Sequence, residues 1–371
     1  MTRTHHEQDA HPVQAERGQD IAEQLCEQVR RADADATPLR IAGGGTKAFY
    51  GRPVEGETLS LTEHRGIVHY DPVELVVSVR AGTPLAELEA ALDAEGQRLP
   101  FEPPHFGPDA TVGGAVATGL SGPRRPWAGA ARDFVLGCRL ITHDGKQLRF
   151  GGEVMKNVAG YDLSRLMVGA QGTLGVLTEI SFKVLPRPAA TRSLRLEMPV
   201  ETALERLAEW GRQPLPLTAA AWHDGALHLR LEGGTSSVAA TAERLGGDTL
   251  EAEFWNNLRE QRLAFFGDDD SRALWRLSLP NNTPALALDG DMLYDWGGAQ
   301  RWLKTTADAE TIREAAARAG GHATCYTPHA QGGARDPFTP LSPVVAKYHR
   351  QLKAKLDPNG IFNPGRLYEG L

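Results

Sequence analysis

Short runs of glycine gathered between residues 43 and 175 constrain this chain more than any other feature: Gly43-Gly44-Gly45, Gly113-Gly114, Gly119, Gly122, Gly169, Gly172 and Gly175. Glycine weakens helix and strand interiors, because its backbone loses the most conformational freedom on ordering. What it permits is close approach of the main chain to something bulky, since no Cβ stands in the way. The segments between the runs must supply the core, and the runs themselves must turn the chain or meet a ligand.

Those segments read as short alternating elements. Residues 20 to 32 carry Ile21, Leu25 and Val29 at helical spacing. Leu39 to Ala42 reads as a strand that enters the first glycine run, and strands follow around residues 59–61, 66–70 and 74–80. Val76-Val77-Ser78-Val79 is too β-branched to favour a helix. Thr83 is placed to cap a helix over 84–95, with Gly96 stopping it. Residues 135–142 and 147–150 flank a turn as a hairpin, 161–168 suit a short helix, and 173–184 a long strand. Pro186 and Pro188 mark a boundary. Beyond it, strand-like stretches (193–197, 226–231, 273–279, 292–296) alternate with helix-like ones (201–212, 236–245, 307–319). That pattern predicts helices on one face of a mostly antiparallel sheet. Residues 344–356 read as an amphipathic helix.

A net charge of -7 and a pI near 6.0 argue against a general nucleic-acid binder, which needs a basic face to displace counterions. Cys26, Cys138 and Cys325 lie far apart, with no CxxC pair. They suit a reducing cytoplasm and argue against an iron–sulfur cluster held by this chain alone. The chain shows no metal-ligand spacing, no apolar stretch near the ~20 residues of a bilayer span and no apolar signal core in its His-bearing tail. The expected location is cytoplasmic, with membrane association only through partners.

Three stretches carry chemistry. In Ile41-Ala42-Gly43-Gly44-Gly45-Thr46-Lys47, consecutive glycines after a strand can point successive N–H groups into one concavity, which suits a pyrophosphate. The spacing is neither GxGxxG nor a Walker loop, and a tight glycine turn accounts for it equally well. Residues 110–122 are mostly small or hydroxylic, with little to bury, and can wrap a ligand with backbone and hydroxyl hydrogen bonds. A helix-packing face of small residues is the alternative. The third stretch is Lys156-Asn157-Val158-Ala159-Gly160-Tyr161-Asp162-Leu163, followed by Gln171-Gly172-Thr173-Leu174-Gly175-Val176-Leu177-Thr178-Glu179.

In this order, these motifs resemble the FAD-binding domain of the vanillyl-alcohol oxidase and p-cresol methylhydroxylase (PCMH) type. The closing Asp357-Pro358-Asn359-Gly360-Ile361-Phe362-Asn363-Pro364-Gly365-Arg366 resembles that superfamily's last segment. The resemblance implies an α+β fold: a flexible tail over 1–18, a two-lobed PCMH-type FAD-binding domain over 19–187 with lobes at about 20–100 and 101–187, an α+β cap domain over 188–343, and a segment over 344–371 that returns to the FAD domain. It also implies that Gly43, Gly44, Gly45, Thr46 and Lys47 hold the pyrophosphate, and that Thr111, Val112, Gly113, Gly114, Ala117, Ser121 and Gly122 line the cofactor. Gly172, Gly175 and Val176 would close on the adenosine side, and Asn363 would reach the flavin. Tyr161 and Asp162 fit bracing as well as contact, and Asp133 fits support of the fold. Many relatives tether FAD through histidine or cysteine; here Thr46-Lys47 stands in the loop and Cys138 sits mid-strand, so non-covalent FAD is expected.

Asp295-Trp296-Gly297-Gly298-Ala299-Gln300-Arg301-Trp302, Gly321-His322-Ala323-Thr324 and Pro340-Leu341-Ser342-Pro343 extend the resemblance to the family of FAD-binding E subunits of bacterial glycolate oxidase. That family works with a second flavoprotein subunit and an iron–sulfur subunit, oxidising glycolate to glyoxylate and passing electrons toward quinone. The alternative is a stand-alone FAD-dependent 2-hydroxyacid dehydrogenase, or another PCMH-fold oxidoreductase with its own substrate site. Related single-chain enzymes carry a His-x-His metal cluster, which His223, His228, His322 and His329 do not form. Its lack favours a flavin-carrying subunit whose sister chain performs the oxidation. His329 and Arg335 are the candidates for a small-acid site, against the reading of a surface loop. The 296–302 stretch fits either a cap over the flavin or a strand end turning on two glycines.

Overall fold

The computed structural model describes residues 18–152, 162–267 and 271–371. His5, His6, His11 and the Lys156-to-Tyr161 part of the third motif lie outside the described residues.

Helix α1 (Ala22–Ala34) buries Leu25, Cys26, Val29 and Ala32, the stripe its spacing predicts. Strands β1 (Leu39–Ala42) and β2 (Glu57–Ser60) pair in parallel as a two-stranded sheet. Strands β3 (Ile67–Asp71) and β4 (Val76–Arg80) begin a second sheet, and Val76 to Val79 of β4 is buried on both faces. In α2 (Leu85–Ala94) Leu85, Leu88 and Leu92 enter the core, but Pro84, not Thr83, is the cap residue. The Thr83 hydroxyl instead accepts the Gly66 N–H at 2.8 Å, so a long-range contact takes the group that would have capped the helix.

After β5 (Gln97–Arg98), the small-residue stretch forms helix α3 (Val112–Thr118). It was expected to bury little, yet Val112, Ala115 and Val116 join the main core, because small side chains let this helix pack closely. Short helices α4 (Arg125–Ala128) and α5 (Ala131–Phe134) lead to the expected hairpin, β6 (Val135–Ile141) and β7 (Gln147–Gly151). Asp133 accepts the Ala130 N–H at 2.8 Å, a local brace. Asp162 caps α6 (Leu163–Met167) by accepting the Arg165 N–H at 3.1 Å. Strand β8 (Val176–Lys183) follows, and β9 (Leu185–Pro186) pairs with β5. The second sheet runs β3-β4-β8-β6-β7 and is antiparallel throughout. It takes strands from both sides of residue 100, so a lobe boundary there does not coincide with a sheet boundary; the doubly buried β4 needs the apolar β8 as its neighbour.

The rest of the chain gives β10 (Ala190–Glu197), α7 (Val200–Trp210), β11 (Leu217–His223), β12 (Ala226–Gly233), α8 (Thr235–Leu245), β13 (Asp248–Thr249), α9 (Glu253–Arg259), β14 (Ala273–Ser278), β15 (Asp291–Asp295), β16 (Gln300–Thr305), α10 (Ala309–Arg318) and β17 (His322–Cys325). They form an antiparallel eight-stranded sheet in the order β13-β10-β12-β11-β15-β16-β14-β17. Strand alternation splits its residues between two layers. Ala273, Trp275 and Leu277 of β14 pack with Ile312 and Ala316 of α10, while Leu274 faces a cluster containing Trp302, Tyr326, Tyr50 and Leu120. That second cluster joins the sheet to the glycine-rich part. After α11 (Pro343–Leu356) the chain returns, placing Ile361 and Phe362 in the main core. The Leu39 N–H donates to the Ile361 carbonyl at 2.7 Å, and the Asn363 N–H to the Leu39 carbonyl at 3.0 Å, so this segment flanks β1.

A charged junction reinforces the contact between the two parts. Arg124 is buried and bonds Glu102 at 3.0 Å and also Glu232 of β12; Arg230 of β12 bonds Glu102 at 3.0 Å, and Arg98 bonds Glu232 at 3.2 Å. Burial alone would raise the Glu232 carboxyl, but bonds from Arg124 and the charges of Arg230, Arg124 and Arg98 outweigh it and hold it at about 2. Removing one member strands a buried charge, so Glu232→Ala should lose about 3–5 kcal/mol of stability in urea unfolding. Because the folded pKa is depressed, this contribution is complete above the unfolded value near 4.5 and is lost as pH falls toward about 2. The variant should therefore show a flatter stability curve across that interval.

Candidate cofactor cavity

A cavity of about 390 Å³ opens between β1 with its glycine loop, helix α3, the 167–177 segment and the closing chain. Its volume falls within the usual ~300–1,000 Å³ of small-molecule sites. Of the residues singled out in the sequence, Gly43, Gly44, Gly45, Thr46, Lys47, Thr111, Gly113, Gly114, Ala117, Gly172, Gly175 and Asn363 line it. Val112 and Val176 are instead buried in the core, where their apolar side chains are better placed. Ser121 and Gly122 lie off this cavity. The Ser121 hydroxyl accepts the Ala131 N–H at 3.2 Å, and the Gly122 carbonyl accepts the Trp296 indole N–H at 3.0 Å.

The glycine loop is shaped by close backbone approach. A Cβ on Gly44 would overlap the carbonyl oxygen of Asp109, whereas Gly45, with φ of +76°, faces open space. Among the described residues, the backbone N–H groups of Gly43, Gly44, Gly45, Thr46 and Lys47 have no protein acceptor. Successive free N–H groups in a concave loop form an anion cradle. Thr111 caps α3 by accepting the Gly114 N–H at 3.2 Å.

Lys47 adds a charge to this cradle. Its side chain is buried, and its Nζ donates only to the His105 carbonyl at 3.1 Å and the Thr46 hydroxyl at 3.4 Å. Burial pulls the ammonium down to about 8, against the attraction of Glu260. That carboxylate is already engaged by the His105 and Phe106 N–H groups and by Arg259 at 2.8 Å. Arg366, which the sequence did not single out, also lines the cavity. Its guanidinium donates to the carbonyls of Lys47, Ala48, Tyr50 and Arg52 and to Gln171 Oε1, fixing the chain just beyond the glycine loop. Asn363 was expected to reach a flavin. Its side-chain amide is occupied in the wall: Oδ1 accepts the Ile41 N–H at 2.8 Å, and Nδ2 donates to the Gln171 carbonyl at 2.7 Å. This donor set — five free N–H groups and a desolvated lysine — fits a pyrophosphate.

The other candidates lie elsewhere. His329 and Arg335 are exposed on the loop after β17 and do not line this cavity. His228 stacks on Phe254 at 4.2 Å and His223 lies 5.9 Å from Phe265, and among the described residues no His, Cys, Asp and Glu group has metal-binding geometry. The 296–302 stretch is a strand end that turns through Gly297 and Gly298, with Asp295 accepting the Trp296 N–H at 2.7 Å. Cys138 is buried in β6.

The loop geometry separates two otherwise similar substitutions. Gly45→Ala should cost only the left-handed strain of roughly 1–2 kcal/mol. Gly44→Ala must displace backbone and should lower the thermal midpoint distinctly further; equal midpoints would contradict the packing described.

With this geometry in hand, the comparisons with known proteins are specific. Residues 20–151 match the family described as FAD binding domain, and residues 291–367 match the C-terminal domain of FAD linked oxidases. The chain is 57% identical over 352 residues to glycolate oxidase subunit GlcE of Escherichia coli (strain K12), covering 95% of this chain and 99% of that protein. It is 34% identical over 159 residues to glycolate oxidase subunit GlcD of Bacillus subtilis (strain 168), covering 42% of this chain and 34% of that one. In structure it resembles an alkyldihydroxyacetonephosphate synthase, with a TM-score of 0.65 and 17% identity over 94% of this chain and 75% of the other. FAD is accordingly the cofactor, and the chain is an FAD-dependent oxidoreductase of PCMH-type fold. It belongs to the FAD-linked oxidases, in the family of glycolate oxidase subunit GlcE.

Proposed function

We propose that this chain is the FAD-carrying subunit of a glycolate oxidase that converts glycolate to glyoxylate, with electrons leaving through an iron–sulfur partner toward quinone. The identity to GlcE along nearly the full length of both chains carries this reading. A second flavoprotein subunit is the natural companion, since GlcD, also named as a glycolate oxidase subunit, is similar to this chain over 159 residues. The free, buried cysteines Cys26, Cys138 and Cys325 suit a cytoplasmic protein, and among the described residues no helix is long and apolar enough to cross a membrane. We divide the chain as an FAD domain over 19–187, a cap over 188–343 and a returning segment over 344–371; the separate sheets and the placement of Phe362 in the main core support that division.

In this reading the N–H groups of Gly43 to Lys47 and the Lys47 ammonium hold the cofactor's pyrophosphate. Thr111, Gly113, Gly114 and Ala117 flank it from α3, and Gly172 and Gly175 leave room on the opposite wall. Bound there, FAD supplies a two-electron acceptor for a CH–OH group. Among the described residues that line the cavity there is neither histidine nor cysteine, a lining in keeping with a dissociable cofactor. Asn363 and Arg366 act as positioning residues by fixing the loop and the 171 segment.

Anaerobic addition of glycolate to the FAD-loaded chain together with its partner chains should bleach the flavin absorbance. A spectrum that stays oxidised in the complete assembly would overturn the substrate assignment. Lys47→Met should weaken FAD binding at least tenfold with little loss of fold stability, because the residue removed is a desolvated charge. Burial holds the Lys47 ammonium down at about 8, and an arriving diphosphate raises it. FAD affinity should therefore fall as pH rises above about 8, and calorimetry in two buffers at pH 9 should detect proton uptake that Lys47→Met abolishes.

A further inference from the structure

Arg276 on β14 stands out among the buried and half-buried arginines by how little holds it. Arg124 and Arg230 face Glu102 and Glu232. Arg301 donates to the carbonyls of Thr283, Pro284 and Gly298, and Arg366 to carbonyls of its loop. The Arg276 guanidinium has five N–H groups. Among the described residues it donates to one neutral atom, the Tyr50 hydroxyl at 3.0 Å, and no carboxylate reaches it. It lies between the rings of Tyr50 and Tyr326, 5.5 and 5.3 Å from their centroids. This sheath fixes its position and leaves its charge without a counter-ion.

The surroundings are hydroxylic and, among the described residues, free of acid. Arg276 opens onto a second cavity of about 340 Å³ lined also by Tyr50, His322, Thr324, Thr339 and Ser342, with no acidic residue in its wall. His322 and Arg125, the latter stacked 4.4 Å above Trp296, both feel the Arg276 charge as repulsion. An arginine with no carboxylate partner, facing hydroxyls in a cavity whose described lining holds no acid, is the arrangement expected of a site for one small anion. The two cavities are linked through Tyr50: it lines this one, and its carbonyl accepts from Arg366, which lines the cofactor cavity.

We propose that this pocket binds the carboxylate of a small 2-hydroxy acid, with Arg276 as its charge partner and the Tyr50 and Thr324 hydroxyls as further donors. The inference rests on the reading of the chain as a subunit that oxidises such acids. It assigns recognition of the acid to this chain, not to a sister chain. His329 and Arg335, the candidates from the sequence, take no part.

The test is calorimetric titration of the full FAD-loaded chain, without oxygen, with glycolate and with glycolamide, which differs in lacking the charge. Glycolate should bind at least tenfold more tightly. Arg276→Met should remove that preference while the visible flavin absorbance stays unchanged, and Arg276→Lys should restore part of it. Thr324→Asp provides an independent variant. Residue 324 lies directly opposite Arg276 in the ladder, so the new carboxylate supplies the missing partner from within and should abolish glycolate binding even if Arg276→Met does not fold. Equal binding of the two ligands, no binding of either to a chain that carries flavin, or undiminished glycolate binding in Thr324→Asp would each overturn the proposal. A chain that takes up no FAD at all would instead refute the reading on which it rests.

Discussion

The side chain of Asn363 ties together three segments that are remote in sequence. It accepts from Ile41 at the end of β1 and donates to Gln171, while its own backbone N–H pairs with Leu39. Together with Arg366, which bonds Gln171 and the Lys47 and Ala48 carbonyls, it gives the glycine loop, the 171 segment and the closing chain a shared reference, and the cavity lies where these meet α3. The clasp is secured from behind. Asp357 accepts the Ile361 and Phe362 N–H groups at 2.9 and 2.8 Å, and the Lys353 ammonium joins Asp357, the Phe362 carbonyl and the Thr173 carbonyl. A buried polar network of this kind has one satisfied arrangement, which gives the cavity a fixed shape before any ligand arrives.

Among the described residues, Lys47 and Arg276 are bonded to no carboxylate and to few neutral acceptors, and they differ in kind. Lys47 is desolvated and sits against free N–H groups, an arrangement complementary to a diphosphate. Arg276 is sheathed by aromatic rings and opens onto hydroxyls, complementary to one small carboxylate. Other buried cations are more fully bonded, by carboxylates at the Arg124 junction and by backbone carbonyls at Arg301 and Arg366. Each faces its own cavity, Lys47 the cofactor cavity and Arg276 the one lined by Tyr50.

Much of the frame was legible in the sequence because it depends on local pattern. The β-branched run in β4, the leucine stripe of α2, the 135–150 hairpin and α11 all follow from periodicity or turn chemistry. The glycine loop was legible as one of two readings, a ligand cradle or a tight turn, and all of Gly43 to Lys47 line the cavity. What escaped was set by long-range contact. Thr83 lost its capping role to Gly66, α3 both packs into the core and lines the cavity, combining two readings that the sequence offered as alternatives, and β11, β16 and β17 are recognisable only once their neighbours in the sheet are known. Arg276 sits in a strand whose pattern gives no sign that its charge is unpaired. His329 and Arg335 were suggested by their proximity to glycines, a local cue that says nothing about where a loop points.

The central claim is that the cavity holds a single FAD through hydrogen bonds and charge alone. Acid precipitation of the purified, FAD-saturated chain, followed by absorbance of both fractions, tests it most directly. The account predicts about one FAD per chain in the supernatant and a colourless pellet. Flavin that stays with the protein pellet, or a chain that takes up none when FAD is supplied, would contradict it.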